Sequence, residues 1–536
     1  MRTKTFRDVI WGDIEIHDKE IEIVDSKPFQ RLRRIKQLGL ADLVYPCAKH
    51  TRFDHSLGTL SAAQLMIDNL KKQGIEIKDE DIDCIRYYAL LHDISHIPFG
   101  HTLEDEGMLY ERHDKGERWK YYTEQLKDII PGDILDTISK LVEKKFDKDN
   151  EFIYDIVSNT ICADLIDYIQ RDGYFTGATS LRFRFDDRIL KYMSIEEDEE
   201  GYRRLVFKPT KDKIRIDVIT DILQLLRYRY MITERVTFHH TRCAANAMLI
   251  KAIQLLGRPE EEVFYWMGDD GVLNFISDSD DKNIKELGEM LKYRNLFKAV
   301  FRVTSKTAPE LPEGSVKAVS DKYGNPEGRT ELEEELVKEI TKILGLSDFD
   351  NGDIAIYCPP DENMNFKETR VLVHWRGEYP IQLTELKPVY MWEQLIIDEV
   401  KALEEKYRAL WNMHIFVHPK YYRRNIYEIE KCCERVLGVK NDPLLTHSFK
   451  QREDYKELFE IGQVVSRKKP EIVATARQIV LGELSARGSP SAAGIETSIE
   501  DAVNEALLLV ASKKENEEQE DEEFEVLRGK KRSKKK

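Results

Sequence analysis

The sequence contains no long apolar run and no cysteine pattern typical of disulfides or zinc sites. No stretch of about 18 apolar residues is present, which argues against a membrane-spanning helix. The first residues, MRTKTFRDVIWGDIEI, lack the apolar core of a signal peptide. The seven cysteines are scattered, odd in number and without a C-x-x-C pair, which is typical of reduced thiols. We therefore predict a cytoplasmic protein without a membrane partner.

Basic charge is also scarce in this chain. It has 83 Lys and Arg against 99 Asp and Glu, which gives a net charge of −16. This balance argues against a protein that coats DNA through a general basic field, but it permits a local basic pocket for phosphates. The basic end, RGKKRSKKK, follows an acidic run, so it is either solvated and self-neutralised or in contact with nucleic acid. Nucleic-acid binding therefore stays open.

The order of sequence patterns predicts the fold class. A length of 536 residues exceeds one ordinary core and indicates two or three domains. Apolar and polar residues alternate over residues 1–25, which predicts a hairpin. Helical spacing then dominates to about residue 300, most clearly at 29–38, 57–70, 80–93, 152–172 and 212–256. Strand and helix patterns alternate from 350 to 440, which favours a small α+β module.

We accordingly predict a mainly α protein, with a helical bundle, a smaller α+β module and a disordered tail. A capping box at Thr330 and Glu333 is expected to begin a helix that ends near Gly345. The module contains no catalytic pattern, so packing or oligomerisation is its better interpretation. The expected regions are a bundle at 1–304, a Pro- and Gly-rich linker at 305–329, the α+β and helical module at 330–484, and a flexible joint, short helix and charged tail at 485–536.

Histidines are few, and their distribution is uneven. Of 13 in the chain, six fall within 64 residues: His50, His55, His92, His96, His101 and His113. The segment HDISHIPFGH (92–101) follows the apolar helix pattern IRYYALL, and a buried helix that ends in His-Asp is costly unless these groups bind something. A divalent metal is the simple answer, since imidazoles and carboxylates suit Mn²⁺, Fe²⁺, Zn²⁺ or Ni²⁺.

Two other segments can complete such a site. His55 lies in RFDHSLG, and Asp164 begins DLIDYIQRD, where Asp164, Asp167, Tyr168, Arg171 and Asp172 share one helical face. A lone His-Asp pair usually has no function, and a carboxylate stripe is usually a solvated face. The ordered set from three helical segments, separated by 37 and 71 residues, is harder to dismiss. We interpret His17, His374, His414 and His418 as structural.

These segments together resemble the HD-domain metal-dependent phosphohydrolases, and most closely their deoxynucleotide triphosphohydrolase branch. The similar stretches are FQRLRRIKQLG (29–39), RFDHSLG (52–58), HDISHIPFGH (92–101), RHD (112–114) and DLIDYIQRD (164–172). The resemblance covers roughly residues 1–300 and includes no SAM domain, which some relatives carry. It implies hydrolysis of a deoxynucleoside triphosphate to a deoxynucleoside and tripolyphosphate, with a divalent ion of Mn, Fe, Mg, Zn or Ni.

The resemblance also implies roles for single residues. The metal ligands would be His55, His92, Asp93 and Asp164. The triphosphate would face Arg52, His96 and His101, and His113, held by Asp114, would transfer a proton. The sugar would be recognised by Gln37, Tyr168, Asp172 and Arg229.

This chain departs from the pattern of the branch at several positions. Leu165 stands where the vertebrate relatives have lysine, and Thr237 stands where relatives often have tyrosine. His239 and His240 either contribute to the pocket or cap a helix.

The resemblance further implies a homo-oligomer that is switched by a nucleotide effector. Asp25, Gln30 and Arg33 match positions that relatives use for a guanine nucleotide. Alternatively, these three residues only cap and solvate the helix at 29–38.

Two other functions compete with the triphosphohydrolase. An HD-type nuclease or phosphodiesterase needs a groove for a nucleic-acid strand, against which the acidic charge balance speaks. A non-catalytic nucleotide-sensing regulator needs no intact ligand set. Alanine at Asp93 would abolish turnover in both enzymes and would leave such a regulator working if its nucleotide binding needs no metal.

Overall fold

The computed structural model describes residues 2–115, 117–179, 185–208, 215–364, 371–375 and 379–442. The chain divides into two compact units, Met1–Tyr422 with Glu428–Asp442, and Arg423–Tyr427 with Pro443–Lys536. Nearly all of the second unit lies outside the described residues. The helices predicted at 450–484 and 499–511, the joint at 487–494 and the charged tail lie there too.

The N-terminal hairpin forms as predicted but is shorter. Strands β1 (Thr3–Asp8) and β2 (Gly12–His17) pair antiparallel, with Thr3 opposite His17. The predicted hairpin extended to residue 25, but helix α1 (Asp18–Asp25) takes over after His17. A capping box explains the change, because the side chain of Glu20 accepts the backbone N–H of His17.

The helix predicted at 29–38 is interrupted. Helix α2 (Lys27–Arg31) continues only as a 3₁₀ turn to Arg34. Ile35 is extended, Lys36 pairs with Thr51, and the Gln37 N–H donates to the carbonyl of His50. Backbone pairing with a distant segment thus overrides the helical spacing of apolar residues.

Helices form most of the remaining described chain, which confirms the mainly α class. They are α3 (Arg52–Lys72), α4 (Asp79–Leu91), α5 (Glu117–Thr123), α6 (Gly132–Val142), α7 (Glu151–Ser158), α8 (Ala163–Thr176), α9 (Ile216–Ile232), α10 (His240–Leu255), α11 (Asp269–Ser277), α12 (Lys282–Lys292), α13 (Val316–Tyr323), α14 (Pro326–Leu344), α15 (Met391–Arg408) and α16 (Pro419–Leu437). Helices α3, α4, α7 and α8 pack together around the main core. None of the described helices is long and apolar enough to cross a bilayer.

Two predicted long helices are each divided in two. The pattern at 152–172 breaks between α7 and α8, where the Cys162 Sγ caps α8 by accepting the Leu165 N–H. The pattern at 212–256 breaks at a π-helical turn, Thr233–Thr237, between α9 and α10. The ring of His239 then caps α10 by accepting the Thr241 N–H, which is one of the two roles predicted for it.

The predicted linker at 305–329 is wrong, because it contains helix α13 and the first turn of α14. Its prolines and glycines mark helix ends rather than a flexible joint. Pro326 occupies the first position of α14, and the Asn325 side chain caps that helix by accepting the Gly328 N–H at 2.8 Å. The helix therefore begins four residues before the expected capping box at Thr330.

The remaining strands are β3 (Met193–Glu197), β4 (Arg203–Phe207), β5 (Lys298–Thr304), β6 (Ile354–Tyr357), β7 (Leu372–Val373), β8 (Ile381–Gln382) and β9 (Asn412–Val417). They form two sheets, with the orders β3-β4-β7-β8 and β5-β9-β6. Strand β9 is the middle strand of the second sheet and runs antiparallel to both neighbours. The predicted α+β part is confirmed, but its strands pair with β4 and β5 from the preceding residues. The first compact unit therefore runs through the expected boundary near residue 304 without a division.

Candidate functional site

The start of helix α3 places two of the predicted site residues on one buried turn. Thr51 is the N-cap, and it exchanges hydrogen bonds with Asp54 in a capping box. Arg52 and His55 lie on the first turn of the helix, and both are almost completely buried. Because the capping box fixes the first turn of the helix, the side chains of Arg52 and His55 leave it in a defined direction.

Gly58, one turn beyond His55, allows helices α3 and α8 to approach closely. A Cβ atom at Gly58 would overlap the carboxylate of Asp167 and the guanidinium of Arg171. The glycine of RFDHSLG thus permits the distance at which His55 meets the carboxylates of α8.

The ring of His55 lies between two carboxylates of α8. Its Nε2 is 2.9 Å from Asp164 Oδ1, and its Nδ1 is 2.8 Å from Asp167 Oδ2. Asp167 is fully buried and also accepts from Trp11 Nε1 and from Arg171. A carboxylate that holds Nδ1–H leaves Nε2 as the nitrogen that can ligate, as is common behind metal-bound histidines.

The His-Asp pair ends α4 and faces the same point. His92 Nδ1 is 2.8 Å from the carbonyl of Ala89, so Nε2 is the nitrogen of His92 that could ligate a metal. That Nε2 lies 3.2 Å from His55 Nε2, 3.6 Å from Asp93 Oδ1 and 3.9 Å from Asp164 Oδ1. The four predicted ligands therefore come together, and ligand atoms of His55, His92 and Asp93 all lie within 4.8 Å of one another.

The electrostatics of this cluster fit a cation. Burial alone would lower the pKa of His55, but hydrogen bonds to Asp164 and Asp167 raise it to about 10. Burial would raise the pKa of Asp93, but the nearby Arg52, His92 and His96 hold it well below its usual range. The site thus keeps Asp93 ionised and favours positive charge at His55 Nε2. Two imidazoles and two carboxylates are a donor set that suits a divalent transition metal, so His55, His92, Asp93 and Asp164 could hold one.

A second cluster adjoins the first. Arg52 Nη1 pairs with Asp93 Oδ2 at 2.6 Å, and His96 Nε2 lies 3.3 Å from Asp93 Oδ1. The rings of His96 and His113 stack with centroids 3.6 Å apart. Burial, with Arg52 and His113 nearby, holds the pKa of His96 well below its usual range, so this ring is neutral at pH 7. The Nδ1 of His96 is buried without a hydrogen-bond partner among the described residues.

His113 is held by Glu104, so the predicted support from Asp114 is wrong. Glu104 Oε2 accepts the His113 backbone N–H at 2.9 Å and lies 3.3 Å from its Nδ1. The carboxylate of Asp114 is turned to Arg112 and Lys144 instead. His101, predicted to face the triphosphate, is half exposed, and its Nδ1 lies 2.8 Å from Asp105.

One of the predicted sugar-recognition residues already has a hydrogen-bond partner within the protein. Asp172 Oδ1 lies 2.8 Å from His50 Nε2, and both side chains are buried. The Oε1 of Gln37 is buried without a hydrogen-bond partner in the described part of the chain. Tyr168 lies one helical turn from Asp164 on α8, and Arg229 lies on α9, which packs against α8.

The three predicted effector residues lie near the hairpin. Asp25 pairs with Lys4 of β1 at 2.7 Å, and Gln30 Oε1 accepts Arg33 Nε at 2.9 Å. The exposed Arg33 guanidinium also stacks over the ring of Phe53, 3.5 Å from its centroid. The set is close to the surface and already has partners within the chain.

Comparisons with known proteins agree with this geometry. The HD domain family matches residues 52–172, and the HD associated region matches residues 215–447. An uncharacterized protein from Methanocaldococcus jannaschii is 30% identical over 407 residues, which are 69% of this chain and 82% of that protein. This chain belongs to the HD-domain family.

Some similar proteins have a named activity or a solved structure. The chain is 27% identical to a deoxynucleoside triphosphate triphosphohydrolase SAMHD1 homolog from Dictyostelium discoideum, over 57% of this chain and 61% of that protein. It is 24% identical to the human deoxynucleoside triphosphate triphosphohydrolase SAMHD1, over 84% of this chain and 78% of that protein. A phosphohydrolase from Bacteroides thetaiotaomicron is similar in fold, with a TM-score of 0.57, 23% identity, and coverage of 77% of this chain and all of that one.

Sequence reasoning missed two supporting carboxylates. Asp167 was placed on the correct helical face, three residues after Asp164, but was given no role toward His55. Glu104 is one of three consecutive acidic residues in HTLEDE (101–106), and it lies in a π-helical turn, Thr102–Glu106. No spacing rule distinguishes it from the two acids that follow.

Proposed function

We propose that this HD-type phosphohydrolase cleaves deoxynucleoside triphosphates to a deoxynucleoside and tripolyphosphate, using a divalent metal. The convergence of His55, His92, Asp93 and Asp164 beside the His96–His113 pair carries the proposal. The activity for which the Dictyostelium and human relatives are named supports the choice of substrate.

In the proposed reaction, the ester bond between the α-phosphorus and O5′ is replaced by a bond between that phosphorus and a water oxygen. The oxygen of a water attacks the α-phosphorus and the water gives up a proton to solvent, while the bond from that phosphorus to O5′ breaks and O5′ takes up a proton. A divalent ion at the four ligands would supply Lewis acidity to a phosphoryl oxygen. Among the chain's own groups, His113 in its imidazolium form would donate the proton at O5′ from Nε2–H, because Glu104 holds the Nδ1–H side of the ring.

Neutral His96 and the charged Arg52 would serve the triphosphate. The Nε of Arg52 is buried without a hydrogen-bond partner among the described residues, while its Nη1 holds Asp93. His101, at 45% side-chain exposure, lies at the open side where phosphate oxygens can approach. These groups suit a polyanion, since arginine and imidazole donors match phosphate oxygens.

Recognition of the sugar would use the face of α8. Tyr168 and Asp172 follow Asp164 on one helical face, so metal and sugar would be held by one rigid element. Gln37, whose buried Oε1 has no hydrogen-bond partner among the described residues, and Arg229 would complete the set. A tyrosine ring at the position of a 2′-hydroxyl would disfavour ribose.

We also propose that the protein is a homo-oligomer with a nucleotide effector at Asp25, Gln30 and Arg33. The exposed Arg33 offers a cation, and the carboxylate of Asp25, which pairs with Lys4, offers an acceptor for a guanine edge. Titration of GTP against turnover tests this site, and hyperbolic kinetics unaffected by GTP would contradict it.

The main proposal is tested by incubating the protein with Mn²⁺ and each of the four deoxynucleoside triphosphates, singly and mixed, followed by ion-exchange chromatography. We expect deoxynucleoside and tripolyphosphate, and no product with Asp93→Ala. Monophosphate with pyrophosphate would mean that a different bond is cut. Asp68→Ala, which changes an exposed carboxylate later on α3, is the control and should keep wild-type activity.

A further inference from the structure

The guanidinium of Arg118 is buried with Glu104 between it and His113. Its side chain is 1% exposed, and Arg118 Nη1 lies 2.6 Å from Glu104 Oε1. The other oxygen of Glu104, Oε2, is the one that faces His113. The three groups therefore form a row of cation, carboxylate and imidazole inside the protein.

Arg118 is itself fixed by several contacts. Its Nε lies 2.7 Å from Glu261 Oε1, and its Nη2 donates to Glu261 Oε2 at 3.0 Å. Its Nη groups also donate to the carbonyls of Ser95 and Glu111. Arg118 thereby joins the HDISH segment, the loop before His113 and the turn after α10. A planar guanidinium held at this many points has little freedom to move.

The charge of Arg118 matters because Glu104 is fully buried. Burial would raise the pKa of Glu104, but hydrogen bonding to His113 and the charge of Arg118 hold it at about 2. A buried carboxylate without a compensating cation is costly, and it becomes neutral by taking a proton. In a protonated Glu104, Oε2 could carry the proton and would then not accept the Nδ1–H of His113.

The direction of the His113 ring depends on that acceptor. With Glu104 ionised, Nδ1 keeps its proton in both the neutral ring and the imidazolium, and the proton that the imidazolium can give up lies on Nε2, which faces away from Glu104. Stacking on His96 fixes the plane of the ring, but it does not select which nitrogen is protonated. The Glu104 carboxylate makes that selection, and Arg118 keeps the carboxylate charged and in place.

We propose that Arg118 is a positioning residue that fixes the tautomer and orientation of His113 through Glu104. The inference rests on the proposed function, in which Nε2 of His113 serves the leaving oxygen. It extends that function to a residue that touches neither substrate nor metal ligands.

Kinetics of Arg118→Met and Arg118→Lys test the role. We expect kcat of Arg118→Met to fall about 10–100-fold with KM changed less than threefold, because misorientation affects the reacting geometry more than binding. Arg118→Lys should recover part of the loss, since it restores the charge. Arg204→Met is the control, because Arg204 is also a partly buried arginine paired with carboxylates, Glu151 and Asp155, but it contacts none of the site residues.

A purely structural role predicts a different result. Thermal unfolding and bound Mn²⁺ are measured for each variant, and Glu261→Gln provides a milder loosening of Arg118 if Arg118→Met does not fold. Loss of stability in a variant that keeps wild-type kcat would overturn the proposal, and so would equal losses in Arg118→Lys and Arg118→Met.

The ¹⁵N spectrum of the histidine rings tests the proposal without using turnover. We expect the His113 resonances, assigned by their loss in His113→Gln, to show a protonated Nδ1 in the wild type and a mixture of tautomers in Arg118→Met. The same tautomer in both proteins would contradict the role of Arg118. A wild-type protein that cleaves no nucleotide would remove the proposed function, and this spectrum would still decide whether Arg118 fixes the ring.

Discussion

The carboxyl of Asp269 shows how one buried side chain can make stability depend on pH. It lies at the start of α11, is 3% exposed, and accepts the backbone N–H of Lys36 at 3.0 Å. Burial raises the pKa of Asp269 to about 7, although Lys36 and Arg52 are near. In the unfolded chain the pKa is about 3.9. Between those values the folded protein holds a proton that the unfolded chain has released, so stability falls as pH rises from 4 to 7.

Asp269→Asn should remove most of this dependence. The amide keeps an oxygen for the Lys36 N–H but carries no charge to bury. We expect the variant to be more stable than the wild type by about 1–4 kcal/mol at pH 8 and to show no advantage near pH 4. Urea unfolding at the two pH values measures the difference, with the exposed neighbour Asp270→Asn as the control. An equal effect of Asp269→Asn at both pH values would show that the charge is not the cause.

At the scale of residues, the sequence predicted the site residues whose type and order match a known motif. It did not predict the residues whose role depends on the local backbone geometry. His55, His92, Asp93 and Asp164 were predicted because histidine and aspartate in a particular order match a known site, and the structure brings them together. The partner of His113 was not predictable. Which acid of Glu104, Asp105 and Glu106 faces inward depends on a π-helical turn, and the neighbouring Asp114 looked equally suitable.

At the scale of elements, the close approach of α3 and α8 depends on one missing side chain. Gly58→Ala would place a Cβ against Asp167 and Arg171, which hold His55 from behind. We expect a loss of about 1–3 kcal/mol in the free energy of unfolding and weaker Mn²⁺ binding, because overpacking moves the helices apart. Urea unfolding and equilibrium dialysis with Mn²⁺ measure the two effects.

Gly132→Ala is a matched control on another helix. It lies at the start of α6, where an added Cβ would meet nothing within 4 Å, so we expect a neutral or slightly stabilising change. If Gly58→Ala were as mild as Gly132→Ala, the helices would have room to adjust and Gly58 would not be needed for the metal ligands.

Elements were predictable where a helix buries its own apolar face. Helices α3 and α4 formed almost at their predicted positions, because their apolar residues all enter one core. The pattern at 29–38 had the same spacing but lost its second half to pairing with residues 50–52. Such pairing depends on a segment that is distant until the chain folds, and local periodicity contains no signal for it.

At the scale of the molecule, the four ligands join three helices that are far apart in sequence. A divalent ion bound there should therefore stabilise the first compact unit as a whole. At a free Mn²⁺ concentration of 100 times Kd, we expect the free energy of unfolding to rise by about 2.7 kcal/mol, with EDTA reversing the change. His92→Ala should unfold at the same temperature with and without Mn²⁺. An equal stabilisation of His92→Ala would mean that the ion binds elsewhere.

The domain plan was the least predictable feature, because composition does not report strand pairing. Residues 305–329 have the prolines and glycines of a linker, yet Pro326 begins α14 and Asn325 caps it. The strands predicted at 350–440 are present, but β9 pairs with β5, more than 100 residues earlier in the chain. A boundary inferred from local sequence cannot reveal partners at that distance.

The central position of β9 limits how this protein can change during evolution. An exchange of everything after residue 330 with another gene would replace β6 and β9 together and leave β5 beside a foreign strand. The incoming strand would have to match the alternation of side chains on β5, where Phe301 lies opposite Ile415 and Val303 opposite Met413. The two halves of the first compact unit must therefore be inherited together or adapt to each other, in contrast to domains that recombine as independent modules.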